Sequence, residues 1–307
     1  MLLKHHSNAR MPALAVKRMS FLLNTWVYGE AVHADRLRAR QALDAAFDEV
    51  KRLEGLLSRF LKDSVISQIN REAHQSPVWV DREIFCLLKL SLGIARGSQG
   101  AFDITTAPLC DLWREAEKRG KAPSESEVRG SLSRTGYQFL KLDPGRSTVS
   151  FLRSGMGLDL GAIGKGYILD YAARFLKDRG IEIGFLNAGG NIVSWNPDGS
   201  RIGVRDPLDG DKILATLFLK NEAIATSAND ERFFQIEERT YGHILDPRTG
   251  WPVKGNLLSV SVIAESAVMA DALSTAVFVL GENRGISVAK ALGARDILLH
   301  KSNEIQT

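Results

Sequence analysis

The sequence predicts an α+β fold with a large hydrophobic core. The chain has 307 residues, of which 44% are hydrophobic and 25% charged, a composition typical of folded proteins that bury such a core. Strand-like runs of apolar and β-branched residues are clustered in the second half of the chain and do not alternate strictly with helical patterns. This clustering favours an α+β fold over a doubly wound parallel sheet.

Helices are predicted from apolar periodicity and from signals at helix ends. Between Ala39 and Leu57 the apolar residues recur in alternating steps of four and three, which gives a helix with one buried stripe. Ser124 and Glu127 have the spacing of a capping box and predict the start of a short helix. The predicted helices cover residues 39–57, 81–96, 124–134, 166–179, 266–280 and 284–292.

Strands are predicted mainly after residue 180, where β-branched residues are frequent. The predicted strands begin at Ile181, Asn191, Arg201, Ile213, Glu222, Leu257 and Asp296. The polar stretch 118–131 is the one candidate hinge or surface excursion, and it divides two halves that could share one core. We therefore expect a basic N-terminal segment over residues 1–20, which could be poorly ordered, and one domain over residues 21–307 with an internal division near 118–131.

Charge and cysteine content limit the classes of function. The net charge is +4, and the basic excess lies in the first forty residues. Aromatic and basic residues do not interleave there as a nucleic-acid groove requires, so a solvated basic face is favoured and no nucleic-acid partner is expected. Cys86 and Cys110 lack metal-binding spacing, which predicts two buried thiols in a reducing compartment.

The sequence also bears on compartment. No run approaches the roughly 18 apolar residues of a transmembrane segment, and the first twenty residues lack the apolar core of a secretory signal. A cytoplasmic location is therefore expected, with the periplasm or a membrane surface as the alternative.

Two glycine-containing stretches are candidate anion sites. In GMGLDLGAIGKGYILD, residues 155–170, glycines allow close backbone approach to a ligand, and the following helix start offers free amides. It is not a nucleoside-triphosphate P-loop, because Asp159 and Gly166 occupy positions that require Gly and Ser or Thr. The alternative is a tight strand-to-helix turn with Lys165 in solvent. NAGGNI, residues 187–192, could form a nest of amides or simply reverse the chain.

Two further stretches offer catalytic and metal-binding groups. In HILDPRTGWPV, residues 243–253, His243 is a candidate base because histidine exchanges protons near neutral pH. A packed surface turn is the alternative. Asp271 and Thr275 lie four residues apart on one helix face, and their oxygens suit a hard cation such as Mg²⁺. A carboxylate hydrogen-bonded to backbone at a helix start is the alternative there.

Together these stretches resemble the ApbE-like FAD:protein FMN transferases, from about Phe21 to His300. Seven family landmarks occur in order: LSRFLKDSVISQIN (57–70), GAFDITTAPLCDLW (100–113), DLGAIGKGYILD (159–170), NAGGNI (187–192), AIATSANDERF (223–233), HILDPRTGWPV (243–253) and ADALSTAVFVLG (270–281). The resemblance implies mixed, largely antiparallel sheets flanked by helices.

The resemblance also implies a site for FAD as substrate and Mg²⁺ as cofactor. The positions that match FAD-binding residues are Leu23, Phe60, Ala101, Phe102, Asp103, Asp159, Lys165 and Ile244. The metal ligands would be the backbone carbonyl of Ala162 and the side chains of Asp271 and Thr275. His243 would act as general base, with Asp246 as its orienting partner.

Several positions depart from the family pattern. Leu23 and Asn24 stand where the family has methionine and glycine, and Gly164 stands where alanine is usual. Asn191 replaces an aspartate at the end of the glycine turn, and Ala228 replaces a glycine. These departures affect the expected substrate fit and activity more than the expected fold.

The implied reaction is Mg²⁺-dependent transfer of FMN from FAD to a Thr or Ser hydroxyl of an acceptor flavoprotein, through a phosphoester bond and with release of AMP. One alternative keeps the site but uses water as acceptor, which makes the chain an FAD pyrophosphatase that produces FMN and AMP. A second alternative is a non-catalytic FAD-binding protein, and a nucleic-acid-binding module is a remote third.

Overall fold

A computed structural model describes residues 14–229 and 233–306 of the chain. The strands are β1 (Leu14–Leu22), β2 (Thr25–His33), β3 (Val78–Trp79), β4 (Leu140–Asp143), β5 (Thr148–Phe151), β6 (Ile183–Ala188), β7 (Asn191–Trp195), β8 (Ser200–Asp206), β9 (Asp209–Leu219), β10 (Glu222–Ala228), β11 (Phe233–Ile236), β12 (Arg239–Gly242), β13 (Gly255–Ala264) and β14 (Asp296–Gln306). The helices are α1 (Arg36–Leu57), α2 (Val65–Glu72), α3 (Arg82–Gly97), α4 (Ala107–Arg119), α5 (Glu125–Leu132), α6 (Gly164–Asp178), α7 (Ala267–Leu280) and α8 (Glu282–Ala291).

The central element is a seven-stranded sheet in the order β1-β2-β6-β7-β10-β13-β14. All neighbouring strands in this sheet are antiparallel, as are those in the smaller sheets β3-β5-β4, β8-β9 and β11-β12. Antiparallel strands need only short connections, which agrees with the clustering of strands in the sequence. The predicted α+β class is confirmed.

Helices α1, α6 and α7 pack on the sheet and bury the main core between them. The stripe predicted on α1 is buried as expected, and Leu43, Phe47 and Val50 contribute to this core. Burying a side chain of this size stabilises the fold by about 1.5–3 kcal/mol relative to leaving it exposed. A separate, smaller cluster lies between the sheet and the β8-β9 hairpin, which covers part of the opposite face.

The N-terminal residues join the sheet earlier than predicted. Residues 14–20, assigned from the sequence to a basic segment, instead belong to β1 and pair with β2. Arg18 explains why basic residues fit there, because its guanidinium forms an ion pair with Asp44 of α1 and lies 4.9 Å from the ring centre of Phe47. Residues 1–13 of the predicted segment lie outside the described residues.

The polar stretch 118–131 contains the end of α4, the connection at residues 120–124 and most of α5. Gly120 ends α4 in the left-handed conformation, with φ of 66°, and the predicted capping box opens α5. The amide of Ser124 donates to Glu127 Oε2 at 2.7 Å, and the Glu127 amide donates to Ser124 Oγ at 3.3 Å. Within the described part of the chain, none of the helices has the length and apolarity needed to cross a membrane.

Candidate active site

A cavity of about 900 Å³ lies at the end of the central sheet where the NAGGNI turn, the glycine-rich turn and α7 meet. Sites for small molecules commonly have volumes of about 300–1,000 Å³, so this cavity can hold a large ligand such as a dinucleotide. Most of the predicted site residues line it: Ala101, Phe102, Asp103, Asp159, Ala162, Lys165, His243, Ile244, Asp271 and Thr275. Residues far apart in the chain therefore share one cavity, as the family resemblance implied.

The junction of α6 and α7 places a buried carboxylate at the cavity wall. Asp271 is only 4% exposed, and its Oδ2 accepts a hydrogen bond from the amide of Gly166 at 2.9 Å. The ammonium of Lys165 lies 3.8 Å from Asp271 Oδ1. Glycine is required at position 166, because an added Cβ would lie 2.2 Å from the backbone oxygen of Ala267. The amide and the ammonium compensate a carboxylate that would otherwise be costly to bury.

A second carboxylate makes the reciprocal contact between these helices. Asp170, one turn along α6, accepts hydrogen bonds from the amides of Ala267 and Val268 at the start of α7, both at 2.8 Å. Burial raises the pKa of Asp170 from 3.8 to about 6, although the two amides oppose that shift. Asp170 therefore caps α7, the helix that holds the predicted metal ligands.

The hydroxyl of Thr275 belongs to a short chain of hydroxyl groups. Thr275 Oγ1 lies 3.2 Å from Ser227 Oγ on β10, and Ser227 Oγ lies 2.8 Å from Ser274 Oγ. Ser274 in turn donates to the backbone oxygen of Asp271 at 2.9 Å. These contacts fix the face of α7 that bears Asp271 and Thr275 against the sheet.

The predicted metal ligands fit a small hard cation. Asp271, Thr275 and Ala162 line the same cavity and offer carboxylate, hydroxyl and carbonyl oxygens. In a continuous helix the amide of Gly166 would donate to the carbonyl of Ala162, four residues earlier. Here the Gly166 amide donates to Asp271 instead. No group of three or more His, Cys, Asp or Glu suited to a metal occurs among the described residues. Few protein oxygens, completed by phosphate and water, are the ligand set that Mg²⁺ prefers.

Asp159 is fixed at the edge of the glycine-rich turn. Its Oδ1 accepts from the amide of Gly161 at 2.8 Å, and its Oδ2 lies 2.6 Å from Nε of Arg59. The Arg59 side chain is only 8% exposed, and its Nη2 also lies 2.7 Å from Asp111 Oδ1. Asp159 therefore lines the cavity with one of its carboxylate oxygens already paired with Arg59, a residue that the sequence did not identify.

Asp103 lines the cavity from a buried position. Its carboxylate accepts from the amide and hydroxyl of Thr105, both at 2.7 Å, and from the amide of Tyr137 at 2.7 Å. Burial raises its pKa, although these hydrogen bonds act in the opposite direction. The carboxylate thus binds the loop after Phe102 to the turn at Tyr137.

His243 and Ile244 follow β12 directly and both line the cavity. Asp246, predicted to orient His243, does not line it. Its two carboxylate oxygens accept from Nε and Nη2 of Arg248 at 2.9 and 2.7 Å. Asp246 also accepts through its backbone oxygen from the amide of Gly250 at 2.8 Å, so it holds the turn that follows His243.

Leu23 and Phe60 also lie outside the cavity lining. Leu23 is in the tight β1-β2 turn with φ of 56°, and its amide donates to Glu54 Oε1 at 2.9 Å. Phe60 is 68% exposed, and the guanidinium carbons of Arg59 and Arg114 lie 4.8 and 4.5 Å from its ring centre. Because Arg114 lines the cavity, Phe60 stands at its edge.

The departures from the family pattern have different structural settings. Asn24 adopts φ of 56°, a left-handed conformation that asparagine tolerates better than most residues other than glycine. Gly164 has room for a side chain, because an added Cβ would lie 3.7 Å from its nearest neighbour, Leu160 Cβ. Asn191 is buried, and its Nδ2 has no hydrogen-bond partner in the structure described. Ala228 lines the cavity.

Some cavity residues were not identified from the sequence. One face of α4 and its N-cap contributes side chains at helical spacing: Thr106, Cys110, Arg114, Glu117 and Lys118. That spacing was visible in the sequence, but α4 itself was not predicted. The β8 strand and Phe234 of β11 also line the cavity, and nothing in their local sequence indicated a ligand, whereas the neighbouring Phe233 ends the landmark at residues 223–233.

The ApbE family model matches residues 23–298, which is most of the chain. The chain belongs to the ApbE family. Among its relatives is the FAD:protein FMN transferase of Klebsiella pneumoniae (strain 342), 32% identical over 248 residues that cover 80% of this chain and 77% of the relative. The protein of the same name from Treponema pallidum (strain Nichols) is 31% identical over 280 residues, covering 84% of this chain and 76% of that one.

Solved structures of ApbE proteins show the same fold. The crystal structure of the ApbE protein from Thermotoga maritima is 32% identical, with a TM-score of 0.86 and coverage of 95% of this chain and 96% of that one. The flavin transferase ApbE from Vibrio cholerae is 27% identical, with a TM-score of 0.81 and coverage of 96% of both chains. The predicted family and fold class are confirmed.

Proposed function

We propose that this chain is an FAD:protein FMN transferase that moves FMN from FAD to a Thr or Ser hydroxyl of an acceptor flavoprotein. The relatives named for this activity align with most of this chain, and that name supports FAD as the donor and a protein as the acceptor of FMN. The enzyme class expected from the sequence, a transferase, is confirmed by those relatives. The cavity at the end of the sheet is the proposed site of the reaction.

One observation supports this proposal most directly. The glycine-rich turn at residues 159–166 is over a hundred positions before Asp271 and Thr275 of α7. The two segments nevertheless line one cavity, and the hydrogen bond from Gly166 to Asp271 joins them. A lysine and a buried carboxylate beside a glycine-rich turn form a setting for a diphosphate with its cation. Had these two segments lain in separate parts of the molecule, the proposal would have lost its basis.

In this proposal Mg²⁺ is the cofactor. Asp271, Thr275 and the Ala162 carbonyl would hold it, and when bound it would supply positive charge that polarises the phosphate oxygens. Phosphoryl transfer depends mainly on positioning and charge neutralisation, so the protein has little covalent chemistry to perform.

The remaining roles belong to the chain's own side chains. Lys165 lines the cavity and would neutralise phosphate charge with its ammonium group. His243 would accept the proton of the acceptor hydroxyl as its oxygen bonds to the FMN-side phosphorus. The bond between that phosphorus and the oxygen of AMP breaks, and AMP leaves. The products are a phosphoester-linked flavin and AMP.

Mass spectrometry tests the proposal. A candidate acceptor domain that contains the target threonine is incubated with the chain, FAD and Mg²⁺, and its Thr→Val variant serves as the matched control. We expect one added FMN on the acceptor, equimolar AMP, and no addition to the Thr→Val variant.

Two other results would replace the proposed activity. Accumulation of free FMN and AMP without any acceptor would identify an FAD pyrophosphatase. FAD that stays bound and intact for hours in Mg²⁺, whichever acceptor is supplied, would identify a non-catalytic FAD-binding protein.

A further inference from the structure

The β11-β12 hairpin determines where His243 lies. In the structure described, β11 and β12 pair only with each other and form a sheet separate from the central one. His243 follows β12 directly, and it lines the cavity together with Phe233 and Phe234 of β11. Any shift of the hairpin relative to the rest of the molecule would therefore move His243 and one wall of the cavity.

Trp113 of α4 anchors both strands of this hairpin. Its side chain is fully buried, and its ring centre lies 5.9 Å from that of Phe234 and 5.2 Å from that of Tyr241. Phe234 and Tyr241 are opposite each other in the register of β11 and β12, so one indole contacts both strands. These centroid distances are those of favourable aromatic pairs.

The same indole also holds the chain after His243. Trp113 Nε1 donates a hydrogen bond to the backbone oxygen of Gly250 at 2.9 Å, and Trp251 packs against the ring at 5.4 Å between centroids. Gly250 ends the turn that Asp246 organises. Trp113 thus contacts the chain on both sides of His243, at Tyr241 before it and at Gly250 after it.

This aromatic cluster is separate from the main core. Trp113 packs with Leu109, Ala116, Ile236 and Leu245 in a small group of its own. Satellite clusters of this kind stabilise one local unit more than the whole fold. Changes at Trp113 should therefore act on the hairpin and on His243 without dissolving the α6-α7 junction.

We propose that Trp113 is a positioning residue for His243, an inference that rests on the proposed function of the cavity. The Trp113 ring fixes the distance between the hairpin and α4, and the indole N–H fixes the turn that follows His243. Together the two contacts hold the His243 imidazole within reach of the acceptor hydroxyl. The residue acts through His243 and does not itself touch the substrate.

The test uses Trp113→Phe, which keeps an aromatic ring but removes the indole N–H that bonds to Gly250. Trp195→Phe is the matched control, because Trp195 is also buried and its Nε1 donates to a backbone oxygen, that of Ile181, at 2.9 Å. Trp195 lies in β7 and does not line the cavity. We expect Trp113→Phe to slow FMN transfer by about 10- to 100-fold, the loss typical of a displaced catalytic group. The control should retain the wild-type rate within about threefold.

A double-mutant cycle separates positioning from general damage. If Trp113 acts through His243, Trp113→Phe should change the residual rate less than about twofold when His243 is already alanine. An equal loss in both backgrounds, or no loss in the wild-type background, would overturn the inference. Tyr241→Leu provides a second cycle if Trp113→Phe does not fold, because it removes one ring contact from the hairpin and leaves α4 intact.

A second readout does not require turnover. The chain has six histidines, so the imidazole NMR signals of His243 can be assigned by their loss in His243→Ala. We expect these signals to shift in Trp113→Phe and to stay unchanged in Trp195→Phe. Unshifted signals in Trp113→Phe would overturn the inference. If the wild-type chain transfers no FMN to any acceptor, the proposed function fails while this measurement still decides the positioning role.

Discussion

On one side of the cavity, α6 and α7 hold Asp271 within the main hydrophobic core, whereas on the other side His243 follows a hairpin that packs on a separate aromatic cluster. The first side is fixed by backbone amides that bond to carboxylates across two helices. The second side depends on ring contacts, on the indole hydrogen bond of Trp113 and on a bond from the Gln235 amide of β11 to Glu117 of α4. The two sides therefore differ in how much of the fold must move before the site is disturbed.

This difference agrees with the chemistry proposed for each side. A buried carboxylate that binds a cation must keep its charge in a fixed place, and a rigid core provides that. A base must meet a hydroxyl that arrives on another protein, and a peripheral hairpin allows that approach. We expect substitutions on the α6-α7 side to cause all-or-none losses and substitutions on the His243 side to cause graded ones.

The largest effect is expected at Asp271. Asp271→Ala should lower FMN transfer by more than about 10³-fold, because the charged oxygen proposed to bind Mg²⁺ is lost. Asp271→Asn should be equally inactive but more stable, since its amide oxygen can still accept from Gly166. Transfer assays and Mg²⁺ titration calorimetry measure the two properties. An Asn variant with near-normal Mg²⁺-dependent turnover would contradict the metal assignment.

His243→Ala tests the other side of the cavity. We expect transfer to slow by about 10²- to 10⁴-fold, the range for loss of a general base, while FAD affinity changes only a few-fold. Steady-state rates and flavin fluorescence titration measure these quantities. His33→Ala serves as the control, since His33 interacts with Asp35 far from the cavity lining. A rate close to wild type in His243→Ala would assign the base to another group.

Two glycines of the same turn give a contrast in stability. Gly166→Ala should lower the free energy of unfolding by about 3 kcal/mol or more, because the new Cβ would overlap the Ala267 backbone oxygen. Gly164→Ala has room and should change stability by less than about 1 kcal/mol, in the stabilising direction. Denaturant unfolding of both variants measures the difference. Similar stabilities would show that α6 and α7 pack less tightly than described.

The smallest effect is a pH dependence at Asp170. Its pKa of about 6 in the folded chain exceeds the ordinary value of 3.8, so its contribution to stability is complete below about pH 4 and decreases as pH rises through 6. The limit of this loss is about 3 kcal/mol. Unfolding of the wild type and of Asp170→Asn, each from pH 4 to 7 without divalent cations, gives the difference between the two chains. A difference that stays constant, or grows with pH, would show that the α7 amides outweigh burial.

Much of the fold could be predicted because its elements have strong local signals. The α1 stripe, the Ser124 capping box and the seven predicted strands after residue 180 appear close to their predicted positions, whereas β11 and β12 were not predicted. The β1-β2 hairpin was missed because Lys17 and Arg18 in its edge strand resemble a solvated basic segment. The hairpin packs against α1 and pairs with β6 of the central sheet, and no local sequence pattern encodes these contacts.

The site could be predicted in composition but not in arrangement. Family motifs identified Asp271, Lys165 and His243, and the structure places all three at one cavity. They could not show that Asp246 pairs with Arg248, that Arg59 holds Asp159, or that Trp113 supports the hairpin. The contacts of Arg59 and Trp113 join segments that are distant in the chain. The contact between Asp246 and Arg248 depends on side-chain conformations that the sequence does not specify.

The reciprocal bonds between α6 and α7 have a consequence for hydrogen exchange. Amides in the first turn of a helix normally exchange quickly with solvent, because they lack partners within the helix. The amides of Gly166, Ala267 and Val268 are instead bonded to Asp271 and Asp170 of the neighbouring helix. We expect their deuterium uptake to require global unfolding, while amides of the β11-β12 hairpin exchange through local opening.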